Sequence, residues 1–246
     1  AVAAAANGLT VVGLDINESE GRQTVEMAAG FGGKMVFLPT DLTVDDEIER
    51  AMAEAAKLGT VKYLANIAGV QHIDSVDNFP MEKYDLMQRL MLRAPFYLSK
   101  LAIAHMKKSK DGIGVIGNMA SVHAHICTKN KPVYNITKFG LKALSQSISA
   151  EGEGSVRSFT LSTGFVKTPL ALNQIAAQAE QRGLPPMPFV RLIWRESHFN
   201  PNAVSPKGAQ GIAQFMPTTA ERRGLDDPFE PIAAIRHSAS LLSDLK

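Results

Sequence analysis

The sequence predicts an α/β fold: a parallel sheet wound with helices on both faces, followed by a smaller all-α unit. Three observations carry this. Between Leu9 and Ser162, short apolar segments rich in Val, Ile and Leu alternate with longer helical stretches, the pattern of strands buried on both faces. The residues able to do chemistry fall just after the strand segments, where ligands bind on parallel sheets. After Pro185-Pro186-Met187-Pro188, the clearest breaker on the chain, no strand pattern recurs.

The first residues, Ala1-Val2-Ala3-Ala4-Ala5-Ala6, are apolar, but the run is short and has no basic stretch before it. It does not read as a signal peptide. It reads as the last turns of a helix closed at Asn7-Gly8, and the chain is expected to begin inside that helix. Strands are expected over 9–14, 34–38, 61–66, 113–119 and 157–162, and helices over 18–30, 44–58, 81–107 and 133–150. A polar helical stretch over 173–182 ends at Gly183. Another helix starts at Pro188, a residue suited to a first helical turn, and runs to about His198. The domain boundary is placed at the proline cluster, giving one domain over 1–184 and another over 187–246.

A chain of 246 residues is long enough for one large domain or two small ones. Net charge is +2 with both signs mixed along the chain, which leaves no footprint for nucleic acid and no polybasic membrane patch. The single Cys127 has no partner for an intrachain disulfide and reads as an inert small hydrophobe. No apolar run is long enough to span a bilayer. With no export signal in view, the expected location is the cytoplasm.

Tyr134 and Lys138 lie four residues apart on a predicted helix and so share a face. A nearby ammonium favours the tyrosinate, so the Tyr134 pKa is expected to be lowered and the phenol to serve as general acid/base toward an alcohol or ketone oxygen. Ser121, at a strand end, is placed to donate a hydrogen bond to the same oxygen. Asp15, at another strand end, is the acid expected to bind the adenosine ribose hydroxyls of a dinucleotide. Taken singly, a Tyr-x-x-x-Lys pair is also an ordinary surface pair, and Asp15 is also an ordinary turn or helix-cap residue.

Together with Asp41-Leu42, Asn66-x-Ala68-Gly69 and the run from Ser162 to Leu170, these residues resemble the short-chain dehydrogenase/reductase family over 1–184. The resemblance implies a Rossmann-type sheet and an NAD cofactor. It implies that Asp41, Leu42, Asn66, Ala68 and Gly69 flank the adenine and ribose, that Lys138 and Tyr134 meet the nicotinamide ribose, and that Thr168 lies by the carboxamide. Gln71, His123, Lys131 and Gln174 look like the set that holds a small hydroxy acid in the D-3-hydroxybutyrate dehydrogenases. A hydroxy acid needs a cation and several donors, and these four supply them. Members of the family are usually homo-oligomers.

The sequence departs from the family in three places. The family's first strand with its Thr-Gly-x-x-x-Gly-x-Gly turn is not found before Leu9, nor its last strand and helix after Leu170. Met91 stands where many members carry an active-site Asn. The glycine turn sets backbone N–H groups against a pyrophosphate, and the strand before it is central. Its neighbours are therefore expected to lack hydrogen-bond partners on one side each.

The last quarter carries a different chemistry. Phe189, Leu192, Ile193 and Glu196 recur at helical steps, which puts Glu196 on the apolar face. A carboxyl held against apolar walls keeps its proton more tightly and can act as a general acid. Glu196-Ser197-x-Phe199-Asn200-Pro201, Gly208-Ala209-x-Gly211 and Gln214-x-Met216-Pro217 resemble the soluble lytic transglycosylase domain, a lysozyme-like all-α fold that cuts the glycan strand of peptidoglycan. The resemblance assigns the single acid/base to Glu196 and the cleft lining to Ser197, Gln214 and Met216. Nicotinamide cofactors are cytoplasmic and peptidoglycan lies outside the inner membrane, so the sequence reads as a chimera joined near Pro185. Hydroxy-acid oxidation is the leading expectation, glycan cleavage the alternative, and a fusion with neither activity the third.

Overall fold

The computed structural model describes residues 1–164 and 168–245. Phe165, Val166 and Lys167 of the strand-end run, and Lys246, lie outside the described residues. The chain divides into two compact units, Ala1–Thr163 and Gly164–Lys246.

The first unit follows the expected alternation: α1 (Val2–Ala6), β1 (Thr10–Asp15), α2 (Glu18–Ala28), β2 (Lys34–Pro39), α3 (Asp45–Lys57), β3 (Tyr63–Asn66), α4 (Met81–Gln88), α5 (Ala94–Lys107), β4 (Gly114–Met119), α6 (Pro132–Glu151) and β5 (Val156–Leu161). Local chemistry explains the ends. The Asn17 side chain accepts from Glu20 N and caps α2. Helix α3 opens on Asp45, Asp46 and Glu47 and closes on Lys57, matching its dipole. The helix expected over 81–107 is interrupted by a π-helical turn, Arg89–Arg93. Pro95 has no N–H to give the Met91 carbonyl, and its ring crowds that turn. One wider turn, in which Ala94 N reaches back to Arg89 O, absorbs the mismatch.

All strand pairs are parallel, as expected for an α/β fold, but they form two sheets: β1-β2, and β3-β4-β5. Among the described residues no strand joins β1 to β3, so each has a ladder edge without a partner strand, as the sequence led us to expect. The strands are also less buried than the interior of a parallel sheet, with Tyr63 64 % and Phe159 53 % exposed. The core of the larger sheet is closed by α3, α5 and α6. Ile48, Met52, Ala94, Leu98, Ala102, Met106, Ile116, Ile148 and Val156 pack in one cluster. A side-chain carbon at Gly114 would collide with the Met106 thioether, so α5 lies on β4 as closely as a bare backbone allows.

A polar chain runs through this core. Asn66 Nδ2, at the end of β3, donates to Asn118 Oδ1 in β4 at 2.8 Å. Asn118 Nδ2 donates to Ser145 Oγ of α6 at 2.8 Å, and more weakly to Ser158 Oγ of β5 at 3.5 Å.

The second unit is helical: α7 (Pro169–Glu180), α8 (Pro186–Ser197), α9 (Pro217–Arg222) and α10 (Pro231–Asp244). Each helix has a proline in its first turn, where the missing N–H has no intrahelical role. Ile175, Leu184, Phe189, Ile193, Phe199, Ile212, Phe215 and Ile235 are among its core residues. Between α8 and α9 the chain makes two short antiparallel bridges, Val204 with Gln210 and Gln210 with Phe215. A side chain at Gly211 (φ 74°) would strike the Pro228 carbonyl. The structural division at Thr163–Gly164 falls before the sequence boundary at Pro185, because α7 packs in the helical unit. Among the described residues no helix is long and apolar enough to cross a membrane.

Replacing Asn118 with Ala should strand the buried Asn66 amide, while the Ser145 hydroxyl keeps its bond to Leu141 O. We expect a loss of about 1–3 kcal/mol, read as a lower urea midpoint. An unchanged midpoint would mean that this chain of hydrogen bonds adds nothing to the fold.

Candidate active site

The loop after β4 and the first turns of α6 bring five of the expected residues together: Ser121, His123, Lys131, Tyr134 and Lys138. The backbone leaves β4 at Met119, and Val122 N bonds Thr163 O, which fixes the start of the loop that carries Ser121 and His123. Ser121 is 6 % exposed, and its Oγ lies 3.0 Å from His123 Nδ1. The other ring nitrogen of His123 is 2.9 Å from Thr128 Oγ1, and the ring meets Tyr134 edge-on at 5.4 Å between centroids. Both nitrogens of a neutral imidazole are thus satisfied, one as donor and one as acceptor. Burial and then the Lys131 ammonium lower the His123 pKa to about 4.

Lys138 is buried, and burial lowers its pKa to about 8. Its Nζ donates to Met119 O at 2.8 Å and lies 5.3 Å from the centre of the Tyr134 ring. The expectation that this ammonium lowers the Tyr134 pKa is overturned. Burial raises it, and the Ser121 hydroxyl only partly offsets the shift. Withdrawal of the phenolate from water outweighs the help that hydrogen bonding gives it.

Lys131 is a second buried lysine, at 4 % exposure, next to His123. Gln71 is half-buried on the loop after β3, and the Asp74 N to Asn130 O bond ties that loop to the one carrying Lys131. Met91, in the π-helical turn, is fully buried and packs in one apolar cluster with Met87, Val133 and Tyr134. Its sulfur lies 3.3 Å from the place a side-chain carbon would take on Gly69.

The other expected cofactor residues of this unit sit at strand ends, as predicted. Asp15 is exposed at the end of β1, with one carboxylate oxygen accepting from Asn17 N at 2.9 Å. Asp41 is more occupied: its Oδ1 accepts from Thr43 N and Thr43 Oγ1 at 2.8 and 2.7 Å, while Leu42 packs on the core. The Asn66 amide is turned inward onto Asn118, whereas Gly69 is exposed and Ala68 half-buried. Thr168 and Gln174 belong to the second unit. Thr168 Oγ1 accepts from Ala171 N at 3.2 Å and caps α7, and Gln174 is half-buried on that helix.

In the second unit the expected burial of Glu196 is corrected: it is exposed. The buried positions of α8 are Phe189, Val190, Ile193 and Ser197, a stripe that leaves Glu196 on its flank. Ser197 Oγ donates to Ile212 O at 2.7 Å, which ties the helix end to the loop before α9. Gln214 Nε2 donates to Ala203 O and Gly211 O at 3.1 and 2.8 Å. Met216 is 42 % exposed at the start of α9. Immediately after Ser197, His198 and Phe199 take φ of 53° and 63°, a left-handed pair with side chains.

Sequence reasoning missed Asn118, Thr128 and the Met119 carbonyl. A signal existed for the first: an Asn inside an apolar strand must find partners or cost stability. None existed for the carbonyl, which every residue carries.

Comparison with known proteins bears on the family and the fold. Residues 1–186 match the family described as enoyl-(acyl carrier protein) reductase, and residues 173–246 match the transglycosylase SLT domain. The chain belongs to the short-chain dehydrogenase/reductase family, whose members use NAD(P), and its last part carries the SLT match. The D-beta-hydroxybutyrate dehydrogenase of Cupriavidus necator is 28 % identical over 225 residues, covering 91 % of this chain and 86 % of that protein. Its namesake from Rhizobium meliloti is 34 % identical over 163 residues, 65 % of this chain and 62 % of that protein. Among solved structures, a putative short-chain alcohol dehydrogenase from Sinorhizobium meliloti superposes with a TM-score of 0.66 at 19 % identity, over 72 % of this chain and 74 % of that one. Acetoin dehydrogenase from Salmonella typhimurium gives 0.63 at 24 %, over 69 % and 68 %. These two likenesses speak for the fold.

The His123 imidazole makes the first unit acid-sensitive. The unfolded chain takes up this proton near pH 6.5 and the folded one only near pH 4, so the unfolded state binds more protons between those values. Stability should therefore fall as pH drops from 6.5 toward 4, and His123→Gln should flatten that slope. Urea midpoints measured across the range check this; equal slopes in both proteins would contradict it.

Proposed function

We propose that the first unit is an NAD-dependent dehydrogenase that oxidises D-3-hydroxybutyrate, or a similar small hydroxy acid, to the keto acid. The observation that carries this reading is the Ser121–His123 pair at 3.0 Å beside the half-buried Tyr134 phenol, with Lys138 Nζ 5.3 Å from the phenol ring. Both curated relatives named above are hydroxybutyrate dehydrogenases, which supports the substrate class.

The donor set fits the cofactor. Asp15 stays exposed at its strand end, with its second carboxylate oxygen available to ribose hydroxyls, and Lys138 and Tyr134 serve the nicotinamide end. Asp41, Leu42, Asn66, Ala68 and Gly69 complete the adenosine side in this reading, and Thr168 the carboxamide side. NAD supplies a hydride acceptor when bound. The other tasks fall to the chain. Ser121 donates to the substrate oxygen and holds it. Tyr134 exchanges a proton with that oxygen. His123 holds the Ser121 hydroxyl in place, and Lys131, Gln71 and Gln174 bind the carboxylate. Since burial favours the neutral phenol, Tyr134 is poised as an acid toward a keto group, and oxidation of the alcohol should speed up as pH rises. Phe96, Ile136 and Phe139 are exposed on α5 and α6 and would serve a homo-oligomer. In this reading the enzyme works in the cytoplasm.

Formation of reduced cofactor from NAD and D-3-hydroxybutyrate, followed by absorbance, tests the proposal. Tyr134→Phe should lower the rate by about 10²–10⁴-fold with little change in the melting temperature. NAD should be preferred to NADP, because Asp15 repels a 2′-phosphate. Turnover that survives in Tyr134→Phe, or a preference for NADP, would count against the assignment.

A second reading rests on the end of α8. Glu196 is exposed beside the left-handed pair His198 and Phe199, and strained backbone of this kind gathers at functional sites. That supports peptidoglycan cleavage through Glu196. Release of anhydro-muropeptides by the full chain, abolished in Glu196→Gln with the fold intact, is the expected result. No product from wild type would set this reading aside, and silence in both assays would favour the inactive fusion.

A further inference from the structure

The loop after β4 is exposed at His125, Ile126, Cys127 and Lys129, yet Thr128 in the middle of that stretch is half-buried. Two bonds hold it. Its Oγ1 lies 2.9 Å from His123 Nε2, and its carbonyl accepts from Asn135 Nδ2 at 3.1 Å. Asn135 is buried beside Tyr134 in the first turn of α6, so the second bond ties the Thr128 backbone to the helix that carries the phenol. On the other side of the ring, His123 Nδ1 lies 3.0 Å from Ser121 Oγ. The Ser121 hydroxyl in turn helps the Tyr134 phenolate. One line of polar groups thus runs from Thr128 through His123 and Ser121 to Tyr134.

Burial keeps the His123 ring neutral near pH 7, with a single ring proton, so the line can run in two directions. With the proton on Nδ1, the ring donates to Ser121 Oγ and Nε2 accepts from the Thr128 hydroxyl. Ser121 then keeps its own hydrogen for an oxygen beyond it. With the proton on Nε2, the ring donates to Thr128 and Ser121 spends its hydrogen on Nδ1. Ser121 is then an acceptor only. A bond from Ser121 to a ketone or alcohol oxygen, or to the Tyr134 phenolate, requires the first direction. We infer that Thr128 is a positioning residue: its hydroxyl donates to His123 Nε2, holds the ring proton on Nδ1, and so leaves the Ser121 hydrogen free for the substrate oxygen. The use of that hydrogen rests on the dehydrogenase reading; the place of the ring proton does not depend on it.

Nitrogen NMR on the full chain, labelled at the histidine rings, reads the tautomer without ligand or turnover. The His123 signals are assigned by their loss in His123→Gln. In wild type near pH 7 the proton should sit on Nδ1. Thr128→Val removes the donor at Nε2, and the ring should move toward the Nε2–H form that free histidine favours. The share of that form should rise about 2- to 10-fold, the worth of one neutral hydrogen bond. Thr128→Ser, which keeps the hydroxyl, should hold the proton on Nδ1. In oxidation of D-3-hydroxybutyrate, Thr128→Val should lower kcat by a similar factor, leave the KM for NAD unchanged, and be rescued by Thr128→Ser. A proton on Nε2 in wild type, or a tautomer unmoved in a folded Thr128→Val, would overturn the inference. Where the valine variant does not fold, wild type and Thr128→Ser still decide, since loss of the Nδ1 proton in either overturns it. If the tautomer behaves as expected but wild type oxidises no hydroxy acid, the dehydrogenase reading fails while Thr128 remains the holder of the Nδ1 proton.

Discussion

An amide buried in the middle of a strand must find hydrogen-bond partners around it, and Asn118 finds them on three other elements. It accepts from Asn66 at the end of β3, donates to Ser145 on α6, and reaches Ser158 on β5. Each of these links bears on the candidate site. The end of β3 leads into the turn that ends at Gly69, β4 leads to Ser121, and α6 carries Tyr134 and Lys138. In a dry core such bonds are directional where apolar packing is not. The same polar chain that satisfies Asn118 therefore sets the register of the strand ends against the helix that bears Tyr134 and Lys138.

The site is electrostatically costly, and the cost shows in its protons. Two lysines, Lys131 and Lys138, are almost wholly buried there. The protein answers in two ways. It keeps His123 neutral, so that a third cation does not join them, and it gives the Lys138 ammonium a carbonyl to bond. Burial still weakens the hold of Lys138 on its proton.

Much of this was legible in the sequence, because it follows from period and position. The alternation of apolar segments and helices gives the α/β class, and the strand ends locate Asp15, Asp41, Asn66 and Ser121. Other features were hidden for physical reasons. The wide turn before Pro95 depends on one missing N–H inside a pattern that otherwise reads as continuous helix. The burial of Glu196 was misjudged because it lies four residues after Leu192 and three after Ile193, while the core took Val190 and Ser197 instead. The raised Tyr134 pKa follows from how far the phenol is withdrawn from water, which the four-residue spacing does not show. The commitment of α7 to the helical unit is a choice between two cores, and a sequence pattern names an apolar face without naming what covers it.

The central claim is that the residues around Ser121 form a site for a small hydroxy acid, whatever the rest of the chain contributes. Chemical-shift mapping of the full chain with D-3-hydroxybutyrate, at saturating NAD, reads this directly and needs no turnover. The account predicts perturbations centred on Ser121, His123, Lys131 and Tyr134, with the loop between α8 and α9 unaffected. Perturbations absent from those four residues, or centred on Glu196, Gln214 and Met216, would contradict it.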